Sequence, residues 1–329
     1  MPVKLNINLT TSPEDLDRFS SSEDLVRLLR GFDGVELMWY GEDERKIIPP
    51  EKVVGFHMSN HNYWLDFWRE DADALRREFD DLETAKASFG GTLDPQRLVE
   101  EFRRDFALAK GLGAQYAVYH ISDAGIEESF TRRYRHTDEE VVDAACEIIN
   151  EALAGEKDTS VALLLENLWL PGLRFTRPEV TARLLERISY PNKGIMLDTG
   201  HLLHNELDLN DQAEGVGYIR RQLEAHGSLT KAVRGVHLNQ SVTGDYARGM
   251  MENPPELGKT YRERSWKMFS HAYAVDRHQP FTADGVRELI LERIAPEFLT
   301  FEFITDDNAQ HARFLREQRE ALGLPVFDD

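Results

Sequence analysis

Short apolar runs and longer amphipathic stretches alternate along the whole chain. The apolar runs are rich in Val, Ile, Leu and Phe, and several carry almost no polar residue, which is typical of strands covered on both faces. We interpret eight of these runs as strands of one parallel sheet. The predicted strands are residues 3–9, 34–38, 53–58, 115–121, 161–167, 194–200, 234–239 and 298–304.

The stretches between the strands have the spacing of amphipathic helices. Residues 21–32, SSEDLVRLLRGF, place serine at a plausible N-cap and leucine at Leu25, Leu28 and Leu29. Residues 177–188 and 283–294 have the same helical spacing, the first with Pro near its start. Eight strand–helix units predict a closed (β/α)8 TIM barrel, because an open doubly wound sheet usually has fewer repeats.

Two connections are too long to be plain turns. One runs from Ser59 to about Pro95 after the third strand, and the other from Gln240 to about Thr282 after the seventh. Both lie on the side where the loops of a barrel build its active site, and long loops in compact domains tend to be functional. No low-complexity linker interrupts the chain, so we predict a single domain over residues 1–329.

Composition limits the cellular setting and the partners. The single cysteine, Cys146, excludes an internal disulfide and a cysteine zinc cluster. No apolar run approaches the ~20 residues of a membrane span, and the N-terminus lacks an apolar signal core, so we expect a cytoplasmic protein without membrane contact. The net charge of −20 opposes a general attraction to nucleic acid, although a local basic patch stays open. A small-molecule substrate is the expected partner, and homo-oligomer formation is left open.

Residues that bind metals recur at the ends of the predicted strands. A closed barrel brings these strand ends into one ring, although the residues are far apart in sequence. The candidates at strands three to eight are His57, His120, Glu166, Asp198, His237 and Glu302; His201 follows one turn after Asp198, and the loop after strand seven adds Asp276 and His278.

Each candidate also has a structural interpretation. A lone histidine such as His57 or His120 is more often a hydrogen-bonded core residue than a ligand. Glu166 after VALLL and Asp198 after GIML are harder to explain in that way, because buried carboxylates are rarely unpaired. The recurrence of hard and borderline ligands at one structural position therefore predicts a divalent metal site.

The motifs that carry these residues resemble the xylose isomerase-like barrels, which include sugar isomerases, epimerases and the endonuclease IV group of AP endonuclease family 2. The resemblance covers nearly the whole chain, and its most specific pieces are LEN at 165–167, LDTGH at 197–201, VHLN at 236–239 and DRH at 276–278. It implies that Glu166, Asp198, His237 and Glu302 form the one-metal set of the epimerases. The extra ligands of the three-metal endonuclease branch would be His57, His120, His201, Asp276 and His278. One to three ions of Zn or Mn per chain are therefore expected.

Two features depart from the endonuclease branch. The loop after strand two, WYGEDERKIIPP at 39–50, is acidic where a loop that grips DNA should be basic. The loop after strand seven is also longer than the resemblance leads us to expect. Both departures weigh against DNA as the substrate, and less against the metals.

The sequence favours an isomerase or epimerase of a small sugar, polyol or sugar phosphate. In that reaction Glu166 and Glu302 would transfer protons, while His201, Arg277, Trp169 and Asn239 would contact the substrate. The alternatives are a multi-metal hydrolase of a phosphodiester or amide bond, and a metal-binding partner subunit without catalysis.

Overall fold

The eight predicted strands form one closed parallel barrel in the computed structural model, which describes residues 3–327. Each strand pairs with the next along the chain, and the last pairs with the first, so the predicted (β/α)8 barrel is confirmed. The strands are β1 (Lys4–Thr10), β2 (Gly34–Met38), β3 (Val53–His57), β4 (Tyr116–His120), β5 (Ala162–Glu166), β6 (Lys193–Asp198), β7 (Val233–Leu238) and β8 (Phe298–Phe301).

The largest difference from the predicted strand limits is at β8, which ends at Phe301 and not at residue 304. Beyond that point the side chain of Asn8 replaces the ladder, because it accepts a hydrogen bond from the Phe303 N–H (3.0 Å) and donates one to the Phe303 carbonyl (3.1 Å). Glu302 therefore lies one residue past the ladder.

Helices fill the connections between the strands. A capping box between Thr137 and Glu140 begins one of the longest of them, α8, which contains the buried Cys146. The predicted helix at 283–294 contains a π-helical segment, Glu288–Ile294. The helices are α1 (Pro13–Leu16), α2 (Ser22–Leu28), α3 (Leu65–Trp68), α4 (Ala72–Phe79), α5 (Leu82–Ser88), α6 (Gln96–Gly111), α7 (Ile126–Thr131), α8 (Asp138–Ala152), α9 (Pro178–Arg187), α10 (Thr199–Leu203), α11 (Gln212–His226), α12 (Gly244–Glu252), α13 (Tyr261–Val275) and α14 (Asn308–Ala321).

Both long connections contain helices of their own. The segment after β3 holds α3 to α6, and the segment after β7 holds α12 and α13. The second segment packs against α7, where Met268 joins a small apolar cluster with Ile126 and Phe130. Its Arg264 also pairs with Asp80, which ends α4. The insertion after β7 therefore spans the rim of the barrel towards the connection after β3.

Side-chain alternation along the strands separates the interior of the barrel from the layer between the sheet and the helices. On β5, Ala162 and Leu164 belong to the interior cluster, whereas Leu163 and Leu165 belong to the outer core. Glu166 continues the inward series at the carboxyl end of the strand. None of the helices within residues 3–327 has both the length and the apolar composition of a membrane span.

Candidate metal centre

Nine ligand-type residues converge at the carboxyl ends of the strands. Eight of them fall into three groups among the described residues, each with its donor atoms within 4.8 Å of one another, and Asp276 lies outside the groups. The groups share Glu166 and Asp198, so they form one continuous centre. They are His57, His120 and Glu166; Asp198, His201 and His278; and Glu166, Asp198, His237 and Glu302.

His237 lies at the middle of the four-residue group. Its Nδ1 is 3.0 Å from an oxygen of Glu166, 3.1 Å from Glu302 and 3.9 Å from Asp198. Its other nitrogen, Nε2, donates to the carboxylate of Glu36 at 2.8 Å. Glu36 therefore fixes the ring so that Nδ1 is the nitrogen that faces the other three donors, which is the usual arrangement of a carboxylate behind a metal-binding histidine.

The position of Glu36 depends on a polar network inside the barrel. The Tyr116 hydroxyl donates to Glu36 at 2.7 Å, and the Thr300 hydroxyl donates at 3.1 Å. The Tyr116 ring has room because Gly55 on β3 lacks a side chain: a Cβ there would come within 2.2 Å of the ring. Glu36 thus has three donors in a fully buried environment.

Glu166 faces two groups at once. Its Oε2 is 3.2 Å from Nε2 of His57 and 3.1 Å from Nε2 of His120. Its Oε1 is instead 3.0 Å from Nδ1 of His237 and 3.3 Å from Nδ1 of His201. The two oxygens of one carboxylate therefore point towards different sets of imidazoles, as a bridging ligand requires.

Asp276 and His278 reach the centre from the loop that follows α13. Asp276 Oδ2 is 3.0 Å from Nε2 of His201 and 2.7 Å from Nε2 of His278. The Ser241 hydroxyl accepts hydrogen bonds from the backbone N–H groups of Arg277 (2.7 Å) and His278 (3.1 Å). His278 has a φ of 45°, a left-handed conformation that non-glycine residues adopt only where their surroundings enforce it.

The motifs around Asp198 hold its carboxylate in place. The Asn167 side chain exchanges two hydrogen bonds with the Asp198 backbone, at 2.9 and 3.0 Å. The amide of Asn239 donates to Asp198 Oδ2 at 2.7 Å. Gly200 permits this approach, because a Cβ at that position would lie 1.9 Å from the Asn239 oxygen. Asn167 of LEN, Gly200 of LDTGH and Asn239 of VHLN are therefore explained by the positioning of one carboxylate.

The charges at the centre depend on each other. Burial opposes ionisation of Glu166, but the neighbouring imidazoles of His237 and His120 hold the pKa of this carboxyl well below its usual range. Burial also opposes protonation of His278, yet Asp276 and Glu302 raise the pKa of His278 to about 9. Asp198 differs, since burial raises its pKa to about 7.

The donor set fits divalent cations. Four buried carboxylates and the partly buried Glu302 meet here, and every ion pair that the described residues make with them comes from a histidine. Buried carboxylates need positive charge nearby, which protonated imidazoles such as that of His278 supply and which a divalent cation would also supply. Donor atoms within 4.8 Å of one another could contact one ion after small side-chain movements, since bonds of about 2.2 Å place two ligands at most ~4.4 Å apart. Imidazole and carboxylate donors together suit Zn or Mn.

The other residues proposed to bind substrate have mixed positions. The Trp169 ring lies 5.3 Å from the His201 ring and 4.8 Å from the His204 ring, so it shields the centre on that side. Asn239 uses its amide to hold Asp198. Arg277 has an exposed side chain and belongs to none of the three groups.

Sequence reasoning missed two residues of the centre. Glu36 is a carboxylate in the middle of GVELM, the same signal that marked Glu166 and Asp198. His204 follows His201 by three residues and contacts Asp276 Oδ1 at 3.2 Å. A search for every acidic or imidazole side chain within an apolar run would have found Glu36, whereas His204 needed the helix geometry of α10.

Comparison with known proteins places this chain among related barrels. Residues 24–317 match the family described as xylose isomerase-like TIM barrel. No curated protein matches the chain in sequence.

Solved structures that resemble this barrel include AsfvAP:AG, with 12% identity, a TM-score of 0.54, and coverage of 98% of this chain and 99% of that one. Endonuclease IV from Thermus thermophilus has 17% identity, a TM-score of 0.48, and 97% and 99% coverage. The 3-keto-D-glucoside 4-epimerase YcjR from E. coli has 13% identity, a TM-score of 0.48, and 98% coverage of both chains. At these identities the likeness concerns the fold alone.

Proposed function

The chain belongs to the xylose isomerase-like TIM barrel family, and from this premise we propose that it is a multi-metal hydrolase of a small phosphate ester. The sequence favoured the isomerase branch, with hydrolysis as the alternative. The geometry of the three joined groups leads us to reverse that order. The substrate is small because the net charge of −20 and the acidic loop at 39–50 oppose a polyanion.

The orientation of Glu166 is the observation that carries this proposal. If a carboxylate binds a single ion, the other ligands of that ion should lie near the same carboxylate oxygen. Glu166 instead directs Oε2 to His57 and His120, and Oε1 to His237 and His201. This arrangement supports two or more adjacent ions with Glu166 between them, and neighbouring ions a few ångströms apart are typical of phosphoester hydrolases.

The nine ligand-type residues would bind the ions. Glu36, Asn239 and Ser241 would keep these ligands in position through their hydrogen bonds to His237, Asp198 and the His278 backbone. Divalent ions bound here would polarise the ester oxygens and make a water molecule acidic enough to attack at neutral pH. Glu302 and His120 are the most accessible of the nine, with 12% and 16% of their side chains exposed, so the substrate would approach from their side. Trp169 would exclude water from the side of His201 and His204.

The isomerase remains a second candidate because one group is sufficient for a single ion. Glu166, Asp198, His237 and Glu302 supply four donors without any help from β3, β4 or the loop after α13. In that reaction Glu166 and Glu302 would exchange protons with the substrate.

Metal content together with turnover separates the two candidates. Elemental analysis of the purified protein should give two or three ions per chain. A panel of phosphomonoesters and phosphodiesters should show metal-dependent hydrolysis, and the same panel should include free sugars, sugar phosphates and an abasic-site DNA duplex. One ion per chain with epimerisation of a sugar would refute the hydrolase and establish the isomerase. Cleavage of the duplex would show that the net charge had misled us about the substrate.

A further inference from the structure

A second feature, outside the metal centre, is a cavity of about 650 Å³ between α2 and α14 on the outer surface of the barrel. None of the nine ligand-type residues lines it. The charged side chains that line the cavity are mostly basic, whereas the net charge of the chain is −20. Asp24 is the one acidic residue among the described residues that line it, and the basic ones are Arg18, Arg27, Arg30, Arg316 and Arg319.

Arg319 is the most buried of these arginines, with 5% of its surface exposed. Its guanidinium donates to the backbone carbonyls of Gly31 (3.1 Å) and Pro325, and within residues 3–327 no carboxylate pairs with it. The rings of Phe32 and Phe327 lie 5.0 Å from the guanidinium carbon. Because all these partners are neutral, residues 3–327 leave the positive charge uncompensated, which favours an anion nearby.

Arginine and aromatic side chains alternate along one wall of the cavity. Arg30 lies 4.9 Å from the ring of Phe327, on which Arg319 also stacks. The order Phe32, Arg319, Phe327, Arg30 therefore presents both flat apolar faces and guanidinium groups. Phe19 and Leu315 add further apolar surface.

The acidic residue in the cavity competes only weakly with an external anion. Asp24 pairs with Arg27 at 3.2 Å, and 71% of the Arg27 side chain is exposed, so water screens this pair. Arg18 is occupied by Asp15 and by Asn308. The guanidinium of Arg30 has neither a hydrogen bond nor an ion pair within residues 3–327, so its donors remain available.

We propose that this cavity is a binding site for an organic phosphate that carries a flat ring, the chemistry of a nucleoside monophosphate. The arginines bind the phosphate, since a guanidinium matches its oxygens in a bidentate way. The partly exposed Phe327 and the exposed Val326 beside it supply the apolar surface against which the ring packs. The volume lies within the ~300–1,000 Å³ of small-molecule sites. This site is independent of the reaction at the metal centre.

Calorimetric titration of the metal-loaded protein with AMP tests the proposal. Because the proposed hydrolase would also take a phosphate ester at its metals, we expect a saturable AMP site that persists in Glu166→Ala. In that variant adenosine and inorganic phosphate should bind more weakly than AMP, since each lacks half of the ligand. Arg30→Gln should raise the Kd for AMP ~10-fold or more through loss of a charge-assisted contact. Arg319→Gln should raise the Kd in the same way, provided that the variant folds without its buried guanidinium. Arg30 is exposed, so Arg30→Gln should fold and the test does not depend on the Arg319 variant. Arg313→Gln is the matched control. It removes one positive charge from α14, the helix that carries Arg319, but Arg313 does not line the cavity.

Four results would overturn the proposal. The first is the absence of saturable binding, and the second is an equal loss in Arg30→Gln and Arg313→Gln, which indicates non-specific attraction. The third is loss of binding in His278→Ala but not in Arg30→Gln, which places AMP at the metal centre. The fourth is binding that appears only when Asp328 and Asp329 are changed to Asn, which assigns the arginines to the end of the chain itself.

Discussion

Two parts of the metal centre are held by different parts of the fold. The strand-borne set, Glu166, Asp198, His237 and Glu302, lies at the ends of β5 to β8. Neighbouring strands fix the backbone of the first three, and the Asn8 side chain holds the backbone just after Glu302. The loop-borne pair, Asp276 and His278, follows α13 and depends on hydrogen bonds to Ser241 and on a left-handed backbone at His278. Closure of the barrel alone therefore brings the strand-borne set together.

The loop-borne pair has further requirements. It comes at the end of the insertion after β7, which packs on α7 through Met268 and pairs with Asp80 through Arg264. If the insertion shifted, Glu166, Asp198 and His237 would keep their backbone positions in the ladder, whereas the loop-borne pair would move and Glu302 would lose its contact with His278. The comparison leads us to expect that the packing of the insertion would decide how many ions bind, whereas closure of the barrel would decide whether the strand-borne ligands meet at all.

The largest effect is expected from Glu166→Ala, because Glu166 takes part in two of the three groups. The variant should lose nearly all bound metal, and activity should fall by more than the ~100-fold that marks the loss of an outer-shell partner. Elemental analysis and kcat on the best substrate of the panel measure both. Cys146→Ala is the control, since Cys146 is buried in α8 away from the strand ends, and it should keep its metal. A metal-loaded, active Glu166→Ala protein would contradict the assignment of the whole centre.

The positions of the strand-borne set could be predicted from the sequence because both of their determinants are local. An apolar run predicts a buried strand, and a carboxylate at its end, as in VALLLE or GIMLD, has to find a partner. Asp276 and His278 could be named from the DRH motif alone. The sequence could not predict how they reach the centre, because that depends on where the insertion packs.

Two features depended on packing that no local pattern reports. Glu36 becomes a partner of His237 only because Gly55 leaves room for Tyr116 across the barrel. The arginine-lined cavity joins residues of α2 with residues of α14, at opposite ends of the chain. In sequence its arginines have the ordinary spacing of solvent-exposed helix faces, so their convergence becomes visible only in the folded barrel.

A smaller effect should follow from His278→Ala, which tests the loop-borne pair and removes only one hydrogen bond to the strand-borne set, that of His278 Nδ1 with the Glu302 carbonyl at 3.1 Å. We expect the loss of one ion per chain, while the ions near His57 and His237 remain. Anomalous scattering at the metal absorption edge counts the ions and locates them. The conservative variant His278→Asn, which keeps a donor near Asp276, should retain more of the third ion than His278→Ala. If all ions disappear together, the two parts of the centre do not differ in the way we describe.

The smallest effect is expected from Glu36→Gln, which changes no proposed ligand. Glu36 accepts the Nε2 hydrogen of His237 and so keeps Nδ1 directed at Glu166 and Glu302. A glutamine fits the same space, but it accepts this hydrogen bond without the negative charge that makes the imidazole a stronger ligand. Metal affinity should therefore fall ~10- to 100-fold, measured by competition with a chelator, with full occupancy restored at higher metal concentration. Tyr116→Phe is the matched control, since it removes a donor to Glu36 and leaves the carboxylate in place, and its affinity should fall less. Equal losses in the two variants would show that the strand-borne set depends on the packing of the barrel interior, and not on the charge behind His237.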